Sequence, residues 1–465
     1  MTAASPAETV TQSSSVSFLK ELPTHIAAIA NGSGDRHRAQ RDAITAFGVR
    51  VVSAGLLYLS QIVLARWMGV FEYGIYVFVW TWVLILGGLS HLGLNLAMIR
   101  LVPAYREKGE QELLRGLLRG GRLFALAVSS GVAAVGMLGV WLLERHVTDH
   151  YLLPAYLALV CVPMFALTEV QDGLGRGHAW MGAALLPPYV LRPLLVLLGM
   201  VGAVVVGLPM TAATAAGAAI VGTWGAALAQ TVIVNRRLAV IVPPGPRRHA
   251  FRGWLGLSLP LLVMAASELV LQNADVLVIS RFMTPGDVGI YFAAAKTMAL
   301  VMFIHYAVGS AAANRFAALD ARGDKESLRA FVKDAVNWTF WPSLAGAALI
   351  LLLGRPLLWL FGPEFVDTGY PVMCILVFGF LARAAMGPAE FLLNMLGEQV
   401  LCASVLVSTA AFNVALNLAL VPVYGLMGAA AATATSLTLA ALLNYVVASR
   451  RLEIEIAIWS NLPRR

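Results

Sequence analysis

The sequence predicts an all-α integral membrane protein of about twelve transmembrane helices arranged as two parallel six-helix repeats. Three observations carry that prediction. The first is composition. Of 465 residues, 59% are hydrophobic and 12% are charged, and mean hydropathy is +0.77. A soluble chain of this size carries about 25% charged residues, so most of this chain sits in lipid. The second is an internal duplication. Residues 66–122 recur without a gap 215 positions later. Arg66/Arg281, Met68/Met283, Gly74/Gly289, Ile75/Ile290, Tyr76/Tyr291, Ala97/Ala312 and Arg100/Arg315 are identical at that shift. Each copy also shares its punctuation: a short turn, a Gly-Ile-Tyr helix entry, a long apolar run, an Arg exit and a charged amphipathic segment. A fixed offset of this kind marks a repeat. The third is the placement of the cations, described below.

Twelve apolar runs reach bilayer length, roughly 20 residues each. They are 44–65, 73–99, 123–143, 151–170, 181–207, 211–234, 254–280, 288–313, 337–360, 370–394, 400–421 and 424–448. Six spans per repeat is an even number, so both repeats enter the membrane in the same sense. This divides the chain into a cytoplasmic tail (1–42), a first six-helix lobe (43–235), a basic Pro-rich linker (236–253), a second lobe (254–450) and a cytoplasmic C-terminal tail (451–465). Residues 1–14 lack the basic and apolar regions of a signal peptide. Residues 15–30 suit either a short interfacial helix or, preferably, the polar tail. With the N-terminus inside, 25 of the 33 Lys and Arg residues fall in inner segments, four in outer loops and four within spans. That bias follows the positive-inside rule and places both termini in the cytoplasm. It also accounts for the net charge of +8 through contact with anionic lipid, without nucleic acid. The segments leading into spans 3 and 9 carry Leu113, Leu114, Leu117 and Leu118, and Leu328, Phe331 and Val332, at helical spacing. They are expected to lie along the membrane surface.

Charges inside the bilayer point to function, because a central Arg or Lys costs roughly 2.5–3.5 kcal/mol. Arg50, Arg192, Lys296 and Arg383 lie within predicted spans. They are the candidate cationic lining of a cavity. Glu268 and Asp275 are candidates for proton or sodium coupling, and Glu268, Gln272 and Asp275 share one face of helix 7. Arg383, Glu390 and Asn394 share a face of helix 10. Gln61, Gln272, Asn273 and Asn394 are further polar candidates. Each has a structural alternative: Arg50 can snorkel, Glu169 and Glu390 can pair locally, Lys296 can bridge to Asp275 or Glu268, and His91 and His305 suit satisfied interior histidines. Arg66 and Arg281 suit structural turn positions. Pro163, Pro187, Pro188, Pro193, Pro260, Pro342, Pro371 and Pro388 interrupt spans and can kink them. Cys161, Cys374 and Cys402 sit in apolar runs as small hydrophobes, so neither a disulfide nor a metal site is expected.

The chain holds no GxxxxGK[ST] loop, no HExxH, no EF-hand pattern and no GxSxG elbow. Its outer loops are too short to house a soluble catalytic domain, so the sequence is not read as an enzyme, and no cofactor is expected beyond a coupling ion. Three stretches then carry a resemblance over roughly residues 42–450. LARWMG followed by FEYGIYVFVWTW and GLSHLGLNLAMIRLVPAY resembles the start of the Wzx-type polysaccharide-export flippases of the MOP (MATE-like) transporter superfamily. LLWLFGPEFVDTGYPVMCILVFGF resembles their helix 9–10 junction, and FLLNMLGEQVLCASVLVSTAAFNVALNLALVPVYGLMGAAAATATSLTLAALL their closing helices. His91 stands where the family often has an acid, so no role is transferred there. The resemblance implies a V-shaped bundle of two lobes in the bacterial inner membrane. It implies flipping of an undecaprenyl-diphosphate-linked oligosaccharide for surface polysaccharide synthesis, with membrane lipids and polymerase or export machinery as partners. A cation-coupled multidrug exporter of the same fold is the first alternative. The acid face of helix 7 favours it and four buried cations oppose it. A lipid II flippase is the second, whose relatives usually carry helices beyond a twelfth, and a non-transporting component of an assembly complex is the third.

Overall fold

The computed structural model describes residues 35–146 and 148–461, and the 15–30 segment lies outside them. Every regular element among the described residues is helical. Among the described residues, ten runs are long and apolar enough to cross a membrane, one of them a pair of helices bent by 41°. The first and last runs each fold at one glycine into two spans, which makes twelve crossings.

The first repeat opens with α1, Asp35–Ser90, which passes through both of the first two predicted spans. Its kink is Gly69 at φ 78, a backbone state open to glycine at no steric cost. The turn expected at 66–72 is therefore reduced to Gly69, the one non-helical residue where two helices meet. There follow α2 (Leu94–Glu107), α3 (Gln111–Leu142) and α4 (Asp149–Gly177). The fifth span is α5 (Met181–Leu186), a π turn over Pro187–Leu191 and α6 (Arg192–Val206). Helix α7, Ala212–Ile241, closes the repeat. It runs past residue 236, so the non-helical link is shorter than the 236–253 read from composition.

The second repeat comprises α8 (Phe251–Phe282), α9 (Pro285–Ala299), α10 (Met302–Ala321), α11 (Lys325–Leu352), α12 (Gly354–Phe361), α13 (Val366–Ala385), α14 (Ala389–Met395) and α15 (Gln399–Val447, kinked at Gly425). Predicted spans 8 and 10 are not single helices. Span 8 bends between α9 and α10. Span 10 is interrupted at Gly387 and Pro388, where proline supplies no backbone N–H to continue the helix.

The two repeats join at the end that carries the Gly69 kink. One apolar core there draws from both, uniting Leu64, Tyr73, Ile75, Phe165 and Met200 with Ile279, Tyr291, Phe361 and Phe365. The equivalent glycines Gly74 and Gly289 face each other at this crossing. A Cβ on Gly289 would lie 3.0 Å from the Val70 carbonyl oxygen and 3.3 Å from the Gly74 nitrogen, and one on Gly74 would fall onto the Pro285 carbonyl. Small residues let two membrane helices meet backbone to backbone. Tyr58 Oη lies 2.9 Å from Thr297 Oγ1 across the same junction. The Arg66 guanidinium lies 4.9 Å from the Trp359 ring and donates to its carbonyl at 3.3 Å.

At the opposite, basic end the cores are separate. One comprises Leu94, Met98, Leu114, Leu117, Leu174 and Val234, joined by Trp254 at the start of α8. The other comprises Phe316, Phe331, Val332, Leu392 and Leu393. The repeats thus part toward this end except where α8 leans on the first repeat. There Trp254 Nε1 donates to Tyr105 Oη at 3.1 Å. The amphipathic segments expected on the membrane surface are the opening turns of α3 and α11. Leu113, Leu114, Leu117, Leu118, Leu328, Phe331 and Val332 are buried in protein, because each helix continues unbroken into its span.

Each repeat ends in a segment that covers this end. The link after α7 is held by Arg115, which donates to the carbonyls of Pro246 at 2.8 Å and Pro243 at 3.2 Å. The segment after α15 places Ile454 and Ile456 in the second core and receives Arg329 Nη2 on the Glu453 carbonyl at 3.1 Å. Arg115 and Arg329 lie 214 apart, as do Gly109 and Gly323, both at φ 69. The repeat register therefore slips by one residue in this turn.

Candidate functional site

The in-membrane charges form three separate groups rather than one. The first belongs to the first repeat. Consecutive Pro187 and Pro188 set up the π turn, and the Arg192 backbone N–H reaches back to the Pro187 carbonyl. This wide turn, often found at functional positions, places Arg192 at the head of α6. Its guanidinium lies 4.9 Å from the Phe165 ring centre and 5.8 Å from that of Trp80, close enough for cation–π attraction. Glu169, Tyr189 and Tyr76 are within electrostatic reach. Arg192 Nη1 is buried and has no hydrogen-bond partner among the described residues. One turn nearer the basic end of α4, Arg176 pairs with Asp172 at 2.6 Å.

The second group lies in the second repeat. The interruption at Gly387 and Pro388 turns Glu390 back toward Arg383, whose Nη2 donates to both carboxylate oxygens at 2.5 and 2.7 Å. The Tyr306 ring centre is 5.9 Å from the guanidinium. Arg383 Nε, both ring nitrogens of His305 and Asn444 Oδ1 are buried without hydrogen-bond partners among the described residues. These residues and Glu390 line a cavity of about 10 Å³, room for about one water molecule. Glu268 is exposed, accepts from Gln272 Nε2 at 3.1 Å and lies within electrostatic reach of Arg383 and Glu390. Asn394 is half-buried, and its carbonyl accepts from Gln399 Nε2 at 3.2 Å.

The third group sits where the repeats join. Asp275 is 6% exposed. Its Oδ2 accepts from Tyr291 Oη at 2.7 Å, and that hydroxyl lies 3.2 Å from Thr433 Oγ1. Although Asp275 was read on one face with Glu268 and Gln272, it is turned into protein while they are exposed. Seven residues of helix drift about 20° from two full turns, and the contact with α9 starts within that distance. Lys296 Nζ stands 4.9 Å from the Phe292 ring centre and makes no ion pair with Asp275 or Glu268 among the described residues. Gln61 Oε1 accepts from Tyr73 Oη at 3.0 Å. Asn273 is 3% exposed and donates to the Leu269 carbonyl at 2.8 Å, which is a helix-internal bond. The Arg50 side chain lies outside the described residues. Reading charges alone missed Trp80, Phe165, Tyr291 and Thr433. Their signal is present only for Tyr291, which repeats Tyr76 at the 215 offset.

The profile of a family described as polysaccharide biosynthesis protein matches residues 39–318. No curated protein matches the sequence significantly. Among solved structures, the chain is similar to a multidrug resistance MATE family transporter of the MOP superfamily in an inward-facing conformation. The TM-score is 0.67 at 14% identity, over 88% of this chain and 94% of that one. It is similar to the lipid II flippase MurJ in an inward closed conformation, with TM-score 0.68 at 14% identity over 87% of each chain. A MOP superfamily transporter from Pyrococcus furiosus, described by a reversed polarity of its binding pocket, gives TM-score 0.62 at 15% identity, over 92% of this chain and 97% of that one. At these identities the structural likeness speaks for the fold.

Proposed function

We propose that this chain, which belongs to the polysaccharide biosynthesis protein family, is a flippase that carries an undecaprenyl-diphosphate-linked oligosaccharide across the bacterial inner membrane. The observation that carries the proposal is Arg192: a guanidinium within the membrane, flanked by aromatic rings, with a buried N–H group that no atom of the described residues accepts. Such a group costs energy unless an acceptor arrives, and Arg offers phosphate a planar, bidentate fork. Arg383 already holds Glu390 and has one further free N–H, so it takes a second phosphate contact by sharing or exchanging that carboxylate. Lys296 and Arg50 complete the proposed cationic set. The basic end faces the cytoplasm in this reading, with the opening between the repeats admitting the headgroup there and rocking of one repeat against the other delivering it outside. Glu268 is the proposed coupling carboxylate, because it is exposed and next to the Arg383 pair. Asp275 is the proposed second ion ligand, with Tyr291 and Thr433 beside it. Polymerase and export machinery would receive the product.

Lipid extraction from a deletion strain tests this. The expected result is accumulation of a polyprenyl-diphosphate oligosaccharide with loss of surface polymer, reversed by the wild-type gene and not by Arg192→Ala. Unchanged lipid intermediates, with new sensitivity to cationic dyes, would replace the proposal with a cation-coupled exporter.

A further inference from the structure

The second repeat carries an open groove of about 530 Å³ between α10 and α11, lined by Ala307, Val308, Ala311, Phe331 and Trp338 with Arg315 among them. We infer that it is a binding site for an anionic glycerophospholipid, with the phosphate on Arg315 and an acyl chain along the alanines. The volume lies within the range of roughly 300–1,000 Å³ seen for ligand sites.

Four observations argue for that occupant. First, the groove is made by side-chain deletion within the repeat. At the 215 offset, Ala307 and Ala311 stand where the first repeat has Leu92 and Leu96. Leu92 lies in the turn before α2, at φ 50, and Leu96 within α2, so α10 carries two small residues where the first repeat has two leucines. Second, past the one-residue slip, Trp338 corresponds to Phe124. The Phe124 ring is covered by Phe251 at 5.4 Å, whereas Trp338 is 53% exposed. Third, Arg315 is exposed and lies 4.4 Å from the Phe331 ring centre. It has no acceptor among the described residues, so its N–H fork is oriented by the ring and available to a phosphate. Fourth, the walls of the groove among the described residues belong to the second repeat. Helix α11 packs on α10, α12 and α13 and on the segment after α15, all of the same repeat. An apolar trough along a helix pair of membrane-spanning length, with a cation at the basic end and an indole at its wall, matches a phospholipid's chain and charged head.

Native mass spectrometry of the purified full-length protein in detergent tests this, with phosphatidylglycerol, phosphatidylcholine and polyprenyl phosphate as probes. The expected result is one tightly held phosphatidylglycerol and no equivalent phosphatidylcholine. Ala311→Leu, which restores the residue of the first repeat, and Arg315→Gln should each weaken retention roughly tenfold. Equal retention of phosphatidylcholine, unchanged phosphatidylglycerol in both variants, or displacement of phosphatidylglycerol by equimolar polyprenyl phosphate would overturn the assignment. Should Ala311→Leu lower the melting temperature, Arg315→Gln decides, because that side chain is exposed.

Discussion

At Arg192 the sequence and the structure say different things about the same cost. The sequence shows a cation in a lipid-length run, and the structure shows what tolerates it: two ring faces, a carboxylate in reach and one N–H left open. Arg192→Lys keeps the charge and loses the planar fork, so we expect surface polymer to fall at least tenfold while membrane levels of the protein hold. Export equal to wild type in that variant would reduce the site to a point charge. Tyr291→Phe removes the hydroxyl from Asp275 and leaves a buried acceptor unpaired, at a cost of about 1–3 kcal/mol; a thermal scan in detergent reads it. His178, past the end of α4, is 5% exposed and stacks on Trp180 at 4.5 Å. Burial lowers its pKa below the ordinary 6.5. The unfolded chain therefore binds a proton first, and stability falls as pH drops below about 6.5. His178→Gln should flatten that limb of a melting-temperature profile. These polar partners were largely out of reach of sequence reading. Arg383 and Glu390 were placed on one face by spacing, yet it is the interruption at Gly387 and Pro388 that sets their contact.

At the scale of helices, the repeat was legible and its joints were not. Apolar length and the 215 offset locate the spans because lipid imposes both length and internal hydrogen bonding. They do not reveal that spans 1 and 2 meet directly at Gly69 with no loop between them, since a kinked glycine and a loop glycine read alike in sequence. Nor do they reveal that the leucines of α3 face protein rather than lipid, because an amphipathic stripe fits either partner. The Gly74–Gly289 crossing is the element on which closure of the kinked end rests. Gly74→Ala should cost about 1–3 kcal/mol through overpacking, visible as a lower melting temperature. Gly48→Ala, with nothing within 4 Å of the added carbon, should change it little.

At the scale of the molecule, rocking of the repeats requires the kinked end to open. In a protein with Cys161, Cys374 and Cys402 replaced by Ala, cysteines at Tyr58 and Thr297 joined by a reducible cross-linker should block export, and reduction should restore it. Export that continues after linking would show that the junction stays shut during transport. The crossing of Gly74 and Gly289 has a mechanical meaning here. It lies near one tip of long rigid rods, so it acts as a fulcrum with unequal arms. From Gly69 to Ser90 the helix spans about 32 Å at 1.5 Å per residue. Measured from Gly74, the arm to Ser90 is about 24 Å, so a tilt of about 10° at the glycines sweeps the far tip through roughly 4 Å, from helix length alone. Aperture at the basic end is therefore a matter of leverage, and a side chain of one extra carbon at the pivot is felt many residues away.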